Sequence, residues 1–102
     1  MAAHLIWSRV AQEDLKEIIG YIRKDNPSAA KSFSKLLIER TELLADFPEM
    51  GRVVPEQDDP RVREISYRSY RIVYRLSPAK NIIEITRLWH AARGEPELET
   101  SP

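Results

Sequence analysis

The hydrophobic period of this chain changes once, at a proline-rich segment, and this change constrains the fold more than any other sequence feature. Between residues 9 and 46, apolar residues recur every three or four positions, which is typical of amphipathic helices. Residues 48–60 contain three prolines and one glycine among polar residues and are predicted to form a loop. After residue 60, apolar and polar residues alternate, which is typical of half-buried strands. The sequence therefore predicts helices first and a sheet second.

Two helices are predicted in the first half of the chain, after a short strand over residues 3–7. Ser8 is a good N-cap residue, and an apolar stripe follows it over residues 9–24. Asn26 and Pro27 suit the cap and the first position of a second helix, which runs to residue 46. Because the connection is so short, the two helices must form an antiparallel hairpin.

Three further strands are predicted after the loop. Residues 70–76 place aromatic and aliphatic side chains on one face and Arg71, Val73 and Arg75 on the other. A hairpin turn then leads to a strand over residues 82–89. Residues 61–67 are predicted as a strand with a β-bulge, because Val62 and Ile65 do not share a parity.

The expected fold is α+β, with an N-terminal strand, a two-helix antiparallel hairpin and a three-stranded antiparallel meander in one sheet. The helices cover one face of this sheet, and the other face carries the arginines. Residues 1–93 are predicted to form a single domain. Residues 94–102 have little to bury and are predicted to be a flexible acidic tail.

Composition excludes several classes of protein. The 102 residues fit one domain with one hydrophobic core. The chain has no cysteine, which excludes disulfides, a thiolate nucleophile and a zinc site built on cysteine. All apolar runs are far shorter than a membrane span, and the first eight residues lack the pattern of a secretory signal. We therefore expect a cytoplasmic protein with no membrane partner, no metal and no cofactor.

The net charge is zero, but positive charge is concentrated in one segment. Residues 61–93 carry eight Lys and Arg against two Asp and Glu, whereas residues 1–60 carry eight against eleven. A solvated outer sheet face is one interpretation of this pattern. The other is a surface that meets an anion or an acidic partner, and the scarcity of carboxylates in this segment favours it.

Several segments together resemble the RelE/ParE superfamily of bacterial toxins from toxin–antitoxin modules, over about residues 5–93. They are Trp7-Ser8 with Ala11 and Asp14-Leu15, Asp25-Asn26-Pro27 with Ala29-Ala30, Phe47-Pro48 with Gly51-Arg52, the segment from Tyr70 to Arg75, and Arg87-Leu88-Trp89-His90 with Arg93. The resemblance implies a growth-inhibiting toxin that a small antitoxin neutralises. Members similar to ParE bind DNA gyrase and stabilise its cleavage complex, whereas members similar to RelE cleave mRNA in the ribosomal A site.

A ribonuclease needs a base, an acid and a cation for the phosphate. The resemblance places Arg71 where ribonuclease members carry a phosphate-contacting arginine, and His90 where some carry a histidine. Glu49 lies roughly where one group has a carboxylate. Each has a plainer interpretation: Arg71 pairs with Glu84 or stacks on Tyr70, His90 bonds a backbone carbonyl, and Glu49 is solvated.

The incomplete catalytic set and the neutral net charge favour the ParE-like function, which needs only a complementary surface. We expect the target to contact arginines of the basic segment, namely Arg61, Arg63, Arg71, Arg75, Arg87 and Arg93. An inactive toxin fold that survives as a binding module is a third possibility.

The antitoxin is the most strongly expected partner. An exposed sheet edge and the apolar residues Phe47, Met50 and Val54 around the central loop are predicted to receive an extended or helical antitoxin segment. The resemblance is also compatible with a heterotetramer of toxin and antitoxin.

Overall fold

The chain forms two helices and five strands, and the helices and four of the strands follow the predicted order. The computed structural model describes residues 2–93, with Arg93 described through its backbone alone. The elements are β1 (His4–Trp7), α1 (Arg9–Asp25), α2 (Pro27–Glu42), β2 (Arg52–Val53), β3 (Val62–Tyr67), β4 (Tyr70–Ser77) and β5 (Ile82–His90). Short 3-10 turns follow α2, β4 and β5. The expected tail at residues 94–102 lies outside the described residues.

One mixed sheet has the strand order β1-β5-β4-β3-β2. The antiparallel meander β3-β4-β5 is confirmed, and β1 joins it in parallel with β5. The sheet has one strand more than predicted, because β2 pairs with β3 inside the segment expected to be only a loop. A two-residue strand is too short to produce a hydrophobic period, so the sequence pattern could not reveal it.

Side-chain caps begin both helices as predicted. The Ser8 hydroxyl accepts a hydrogen bond from the Ala11 amide, and the Asn26 side chain accepts one from the Ala29 amide. Both bonds satisfy amides that have no partner within the helix. The second helix tightens into a 3-10 turn at Leu43–Ala45. No helix among the described residues has the length and hydrophobicity that a bilayer span requires.

The core lies between the helical hairpin and the sheet face that we call the inner face. It is formed by residues of both helices and of the three central strands, including Ala11, Phe33, Leu37, Ile65, Ile72, Tyr74 and Ile85. Tyr74 is fully buried, and its hydroxyl donates to the Pro48 carbonyl at 2.8 Å and accepts from the Gly51 amide at 3.0 Å. These two bonds hold the central loop against the end of the sheet.

The face away from the helices, the outer face, has a small apolar cluster of its own. Val54 from the central loop packs there on Val62 and Val73, and all three are buried. The pairing of β3 with β4 is continuous, so the bulge predicted in residues 61–67 is wrong. Val62 and Ile65 differ in parity because both faces of β3 are buried. Ile65 lies in the main core, and Val62 lies in the outer cluster under Val54.

The irregularity of the sheet lies in β5 instead, where the register with β4 shifts between Val73 and Tyr74 and no residue of β4 lies opposite Thr86. Ser8 stabilises this bulge, because its amide donates to the Ile85 carbonyl and its hydroxyl donates to the Thr86 carbonyl. One residue therefore caps α1 and also fixes the bent part of β5 beside it.

Candidate functional site

The predicted cationic strand face is present, but carboxylates from other parts of the chain have been folded onto it. Arg71 and Arg75 point to the outer face, as the alternation of β4 requires. Arg71 is only 12% exposed, because it is surrounded by acidic partners. The strand pattern predicts where the side chain points and says nothing of what covers it.

Four residues form a charged network on this face, which we call the outer network. Glu64 is 3% exposed and accepts hydrogen bonds from Arg71 on one oxygen and from Arg52, at 2.6 Å, on the other. The second acid is Glu56, whose Oε1 atom accepts a hydrogen bond from Nη2 of Arg71 at 2.9 Å. A carboxylate buried this deeply needs such partners, since an unpaired charge would be expensive to desolvate.

Glu56 reaches Arg71 because a tight turn holds it there. The Gln57 amide donates to the Val54 carbonyl at 3.1 Å, which closes a turn with Pro55 and Glu56 at its centre. Proline presets the backbone angle at this position, and buried Val54 anchors the turn to the sheet. Hydrogen bonding to Arg71 holds the pKa of Glu56 below its ordinary value, and bonding to Glu64 raises the pKa of Arg71.

Most of the other predicted target-binding arginines also have internal partners. Arg87 donates to Asp14 of α1 at 2.9 and 3.1 Å and lies 5.0 Å over the Trp89 ring. Arg61 pairs with Asp59 at 3.1 Å, and Arg63 donates to the Gly51 carbonyl at 2.9 Å. Arg75 lies opposite Glu84 in the register of β4 and β5. The side chain of Arg93 lies outside the described part of the chain.

The interpretation of residues 61–93 as a face poor in carboxylates therefore needs correction. Counting charges along the segment includes Glu64 and Glu84 but misses Asp14, Glu56 and Asp59, which reach it from α1 and the central loop. Arg71 is a paired residue, but its partners are Glu64 and Glu56. The partner expected from the sequence, Glu84, lies opposite Arg75.

The three candidate ribonuclease residues do not come together. Arg71 lies opposite Trp89 on the outer face, whereas His90 lies opposite Tyr70 on the inner face. The Nδ1 atom of His90 accepts a hydrogen bond from the Ala92 amide at 3.1 Å, and its ring meets the edge of Tyr70 at 5.0 Å. Glu49 is exposed on the central loop.

Two of the three apolar residues predicted for antitoxin binding are accessible. Phe47 is 60% exposed and Met50 is 43% exposed, and both line a groove of about 600 Å³ beside Leu76 and Ile82. Val54 is fully buried in the outer cluster, so that prediction is wrong for this structure. Val54 follows another valine and precedes Pro55 in a segment without a repeating pattern, so nothing local indicated that it would cover a sheet face.

A second groove, larger than the one beside Phe47 and outside the predicted sites, runs between α1 and the end of β5. It has a volume of about 890 Å³, and its lining includes Lys16, Gly20, Tyr21, Lys24, Tyr70 and His90. We call it the α1–β5 groove. Its only signal in the sequence is the exposed side of α1, where a tyrosine and several cations stand beside a glycine. Among the described residues there is no cluster of three or more His, Asp or Glu suited to a metal ion.

Comparisons with known proteins agree with this architecture. A family model for the ParE toxin of the type II toxin–antitoxin system parDE matches residues 5–94. The toxin RelE2 of Caulobacter vibrioides is 31% identical over 91 residues, which cover 89% of this chain and 98% of that protein.

Two solved structures share the fold. The chromosomal ParDE toxin–antitoxin system of P. aeruginosa superposes with a TM-score of 0.73 at 22% identity, covering 87% of this chain and 96% of that one. The RelBE2 toxin–antitoxin complex of Mycobacterium tuberculosis superposes with a TM-score of 0.63 at 17% identity, covering 90% and 94%. With the family match over nearly the whole chain, this protein belongs to the ParE toxin family within the RelE/ParE superfamily of type II toxin–antitoxin toxins.

Proposed function

We propose that this toxin inhibits growth by binding DNA gyrase, as members similar to ParE do, and that a cognate antitoxin neutralises it. The observation that carries this proposal is the separation of Arg71 from His90 on opposite faces of the sheet. An RNA phosphate held by Arg71 would be out of reach of a proton from His90. Binding to a protein target requires no such pair.

The outer network adds to this argument. The guanidinium of Arg71 is already bonded to two carboxylates, which occupy the donors that a ribonuclease would aim at the scissile phosphate. The net charge of zero also gives the chain little of the general attraction to RNA that a ribosome-directed nuclease uses.

A mixed-charge outer face remains suited to a protein partner. Arg52 and Arg61 are 68% and 66% exposed at their side chains, so each can contact a target while its carboxylate partner keeps it in place. We propose that these two residues make the first contacts with gyrase. In this proposal Arg71, Arg75 and Arg87 shape the surface, and Arg63 holds the central loop through the Gly51 carbonyl. Arg93 keeps its expected role as a target contact.

The ribonuclease function is the second candidate, and the name of the relative RelE2 favours it. It would require Arg71 to exchange both carboxylates for a phosphate. It would also require a proton donor other than His90. An inactive binding module is the third, and absence of toxicity on expression would indicate it.

Induction of the chain without antitoxin distinguishes these functions in cells. We expect filamentation, induction of the DNA-damage response and gyrase-linked DNA breaks, with mRNA left intact. The His90→Ala variant should stay as toxic as the wild type, since we assign His90 no chemistry. Rapid codon-positioned mRNA cuts that Arg71→Ala or His90→Ala abolishes would contradict the proposal.

The antitoxin partnership draws support from the two structural neighbours, which are described as toxin–antitoxin assemblies. We propose that the antitoxin covers the exposed apolar residues Phe47 and Met50 and that toxin and antitoxin assemble in the cytoplasm, with a heterotetramer as the expected form. Co-expression of the antitoxin should restore growth.

A further inference from the structure

One edge of the Arg71 guanidinium holds the carboxylate of Glu56 in the geometry that a bound ligand would adopt. The Nη2 atom donates to Oε1 of Glu56 at 2.9 Å, and the Nη1 atom donates to Oε2 at 3.4 Å. Two parallel bonds of this kind are the arrangement in which arginine recognises a carboxylate. Glu56 therefore occupies a carboxylate-binding position on the outer face.

The fold prepares this position from below, without help from Glu56. Buried Glu64 bonds the Nε atom of Arg71 and also bonds Arg52, so it orients both guanidinium groups. The outer network carries two positive and two negative charges, so without Glu56 one positive charge is in excess. Oriented donors and an excess positive charge suit a second carboxylate in the same place.

The backbone around Glu56 is held less firmly than the strands beside it. On one side, the Val54 amide donates to the Val62 carbonyl at 2.9 Å, and on the other, the Val62 amide donates to the Asp59 carbonyl at 2.9 Å. Between these anchors the described backbone makes one bond to itself, from the Gln57 amide to the Val54 carbonyl at 3.1 Å. Residues 55–58, which we call the latch, can therefore move while both anchors stay in place.

We propose that Glu56 is an internal competitor of the target, and that a carboxylate of the target protein displaces it from Arg71 when the toxin binds. The incoming Asp or Glu side chain takes the same two Nη atoms, and Glu64 keeps Arg71 oriented during the exchange. Arg71 shapes the surface of the free toxin and becomes a contact in the complex. This inference rests on the proposed function, because the carboxylate belongs to the target.

The exchange gives Glu56 opposite effects on stability and on target binding. In the free toxin its bonds to Arg71 stabilise the fold, whereas during binding the same bonds must be broken. Loss of a carboxylate with a purely structural role would lower stability and leave target binding unchanged or weaker. Stability and potency therefore have to be measured on the same variants.

The test compares toxin titrations of purified gyrase, read as trapped DNA cleavage, for the wild type and for Glu56→Gln. The substitution keeps the shape of the side chain and removes its charge. We expect the variant to reach half of the maximal cleavage at about one third of the wild-type concentration, because an ion pair near the surface competes by a small factor. Chemical denaturation at neutral pH should show that the same variant is less stable than the wild type.

Two further variants show whether the gain arises at Arg71. Asp58→Asn removes another exposed charge of the latch, and asparagine tolerates the left-handed backbone of that residue, whose φ is 49°. This matched control should act at the wild-type concentration. In an Arg71→Lys background Glu56→Gln should give no gain, because lysine cannot hold a carboxylate by two parallel bonds. Thermal melting shows that each variant folds.

Hydrogen exchange in the free toxin tests the latch without any target. The Gln57 amide should exchange faster than the Val54 amide by about tenfold or more, because the latch opens while Val54 stays bonded to β3. Equally slow exchange of the two amides would show that the latch and the sheet open together, and would overturn the inference.

Three results of the titrations would also overturn it. They are a Glu56→Gln variant that needs the wild-type concentration or more, an equal gain from Asp58→Asn, and cleavage of mRNA by Glu56→Gln, since Arg71 would then exchange Glu56 for an RNA phosphate. If the wild type leaves gyrase unaffected, the proposed target is wrong. The same variants are then compared by growth inhibition on induction, where Glu56→Gln must again act at the lower dose.

Discussion

At the scale of single residues, Glu64 determines whether the strand arginines are available to bind a phosphate. It is buried between Arg52 and Arg71, so the arginine that resembles a phosphate-contacting residue is also the partner of an internal charge. Residue type and parity predicted that Arg71 lies on the outer face. They could not predict its pairing, because the partners are 7 and 15 residues away along the chain and are brought close only by the sheet and the turn.

Replacement of Arg71 tests this structural role. Arg71→Ala leaves Glu64 buried with one partner, and we expect the free energy of unfolding to fall by about 3 kcal/mol in chemical denaturation. Arg61→Ala is the matched control, because that arginine and its partner Asp59 lie at the surface, and its unfolding curve should be indistinguishable from the wild type. Equal stability of the two variants would show that the outer network does not stabilise the fold.

The pH dependence of stability tests Glu56. Its pKa is lowered in the folded chain because Arg71 donates hydrogen bonds to it. The ionised carboxylate therefore stabilises the fold above the ordinary glutamate pKa of about 4.3, and this stabilisation is lost as the pH falls through the lowered folded value. The difference in stability between wild type and Glu56→Gln should be largest near neutral pH and should vanish on acidification. A difference that stays constant with pH would contradict the ion pair with Arg71.

At the scale of elements, the sequence predicts best those segments in which a local signal repeats. Both helices begin at side-chain caps and carry a long apolar stripe, and β4 alternates over its whole length, so their positions were correct within a few residues. The central loop has no such repetition. Its short strand β2, its buried Val54 and the bulge at Thr86 in β5 depend on contacts made only in the folded sheet.

Gly20 and Gly51, the two glycines in the described part of the chain, have opposite surroundings, and alanine substitutions at them test the helix and the central loop. A Cβ at Gly51 would lie 2.5 Å from both the Glu64 carbonyl oxygen and the Tyr74 hydroxyl, so Gly51→Ala must displace the loop. We expect it to destabilise the chain by about 2 kcal/mol. Gly20→Ala should stabilise it by about 1 kcal/mol, because alanine is the better helix former and has open space there. Differential scanning calorimetry of both variants decides this, and destabilisation by Gly20→Ala would contradict the description of the α1–β5 groove.

At the scale of the whole molecule, the sequence predicted the α+β fold and the toxin family correctly but misjudged how charge is distributed. Carboxylates distant in sequence neutralise the arginines of the outer face, whereas the cations of α1 line the α1–β5 groove. A count along the chain cannot show this, because it separates residues that the fold brings together. The molecule thus has a mixed-charge face that we assign to its target, and a cationic groove between α1 and the end of β5.

The most direct test of this account is DNA cleavage by purified gyrase in the presence of the purified toxin, run beside a translating extract that contains the same toxin. We predict that the toxin traps broken DNA on gyrase, that His90→Ala does so equally well, and that mRNA in the extract stays whole. Unaffected gyrase together with mRNA cut at defined codons would contradict the account, since catalysis would then proceed despite the separation of Arg71 from His90.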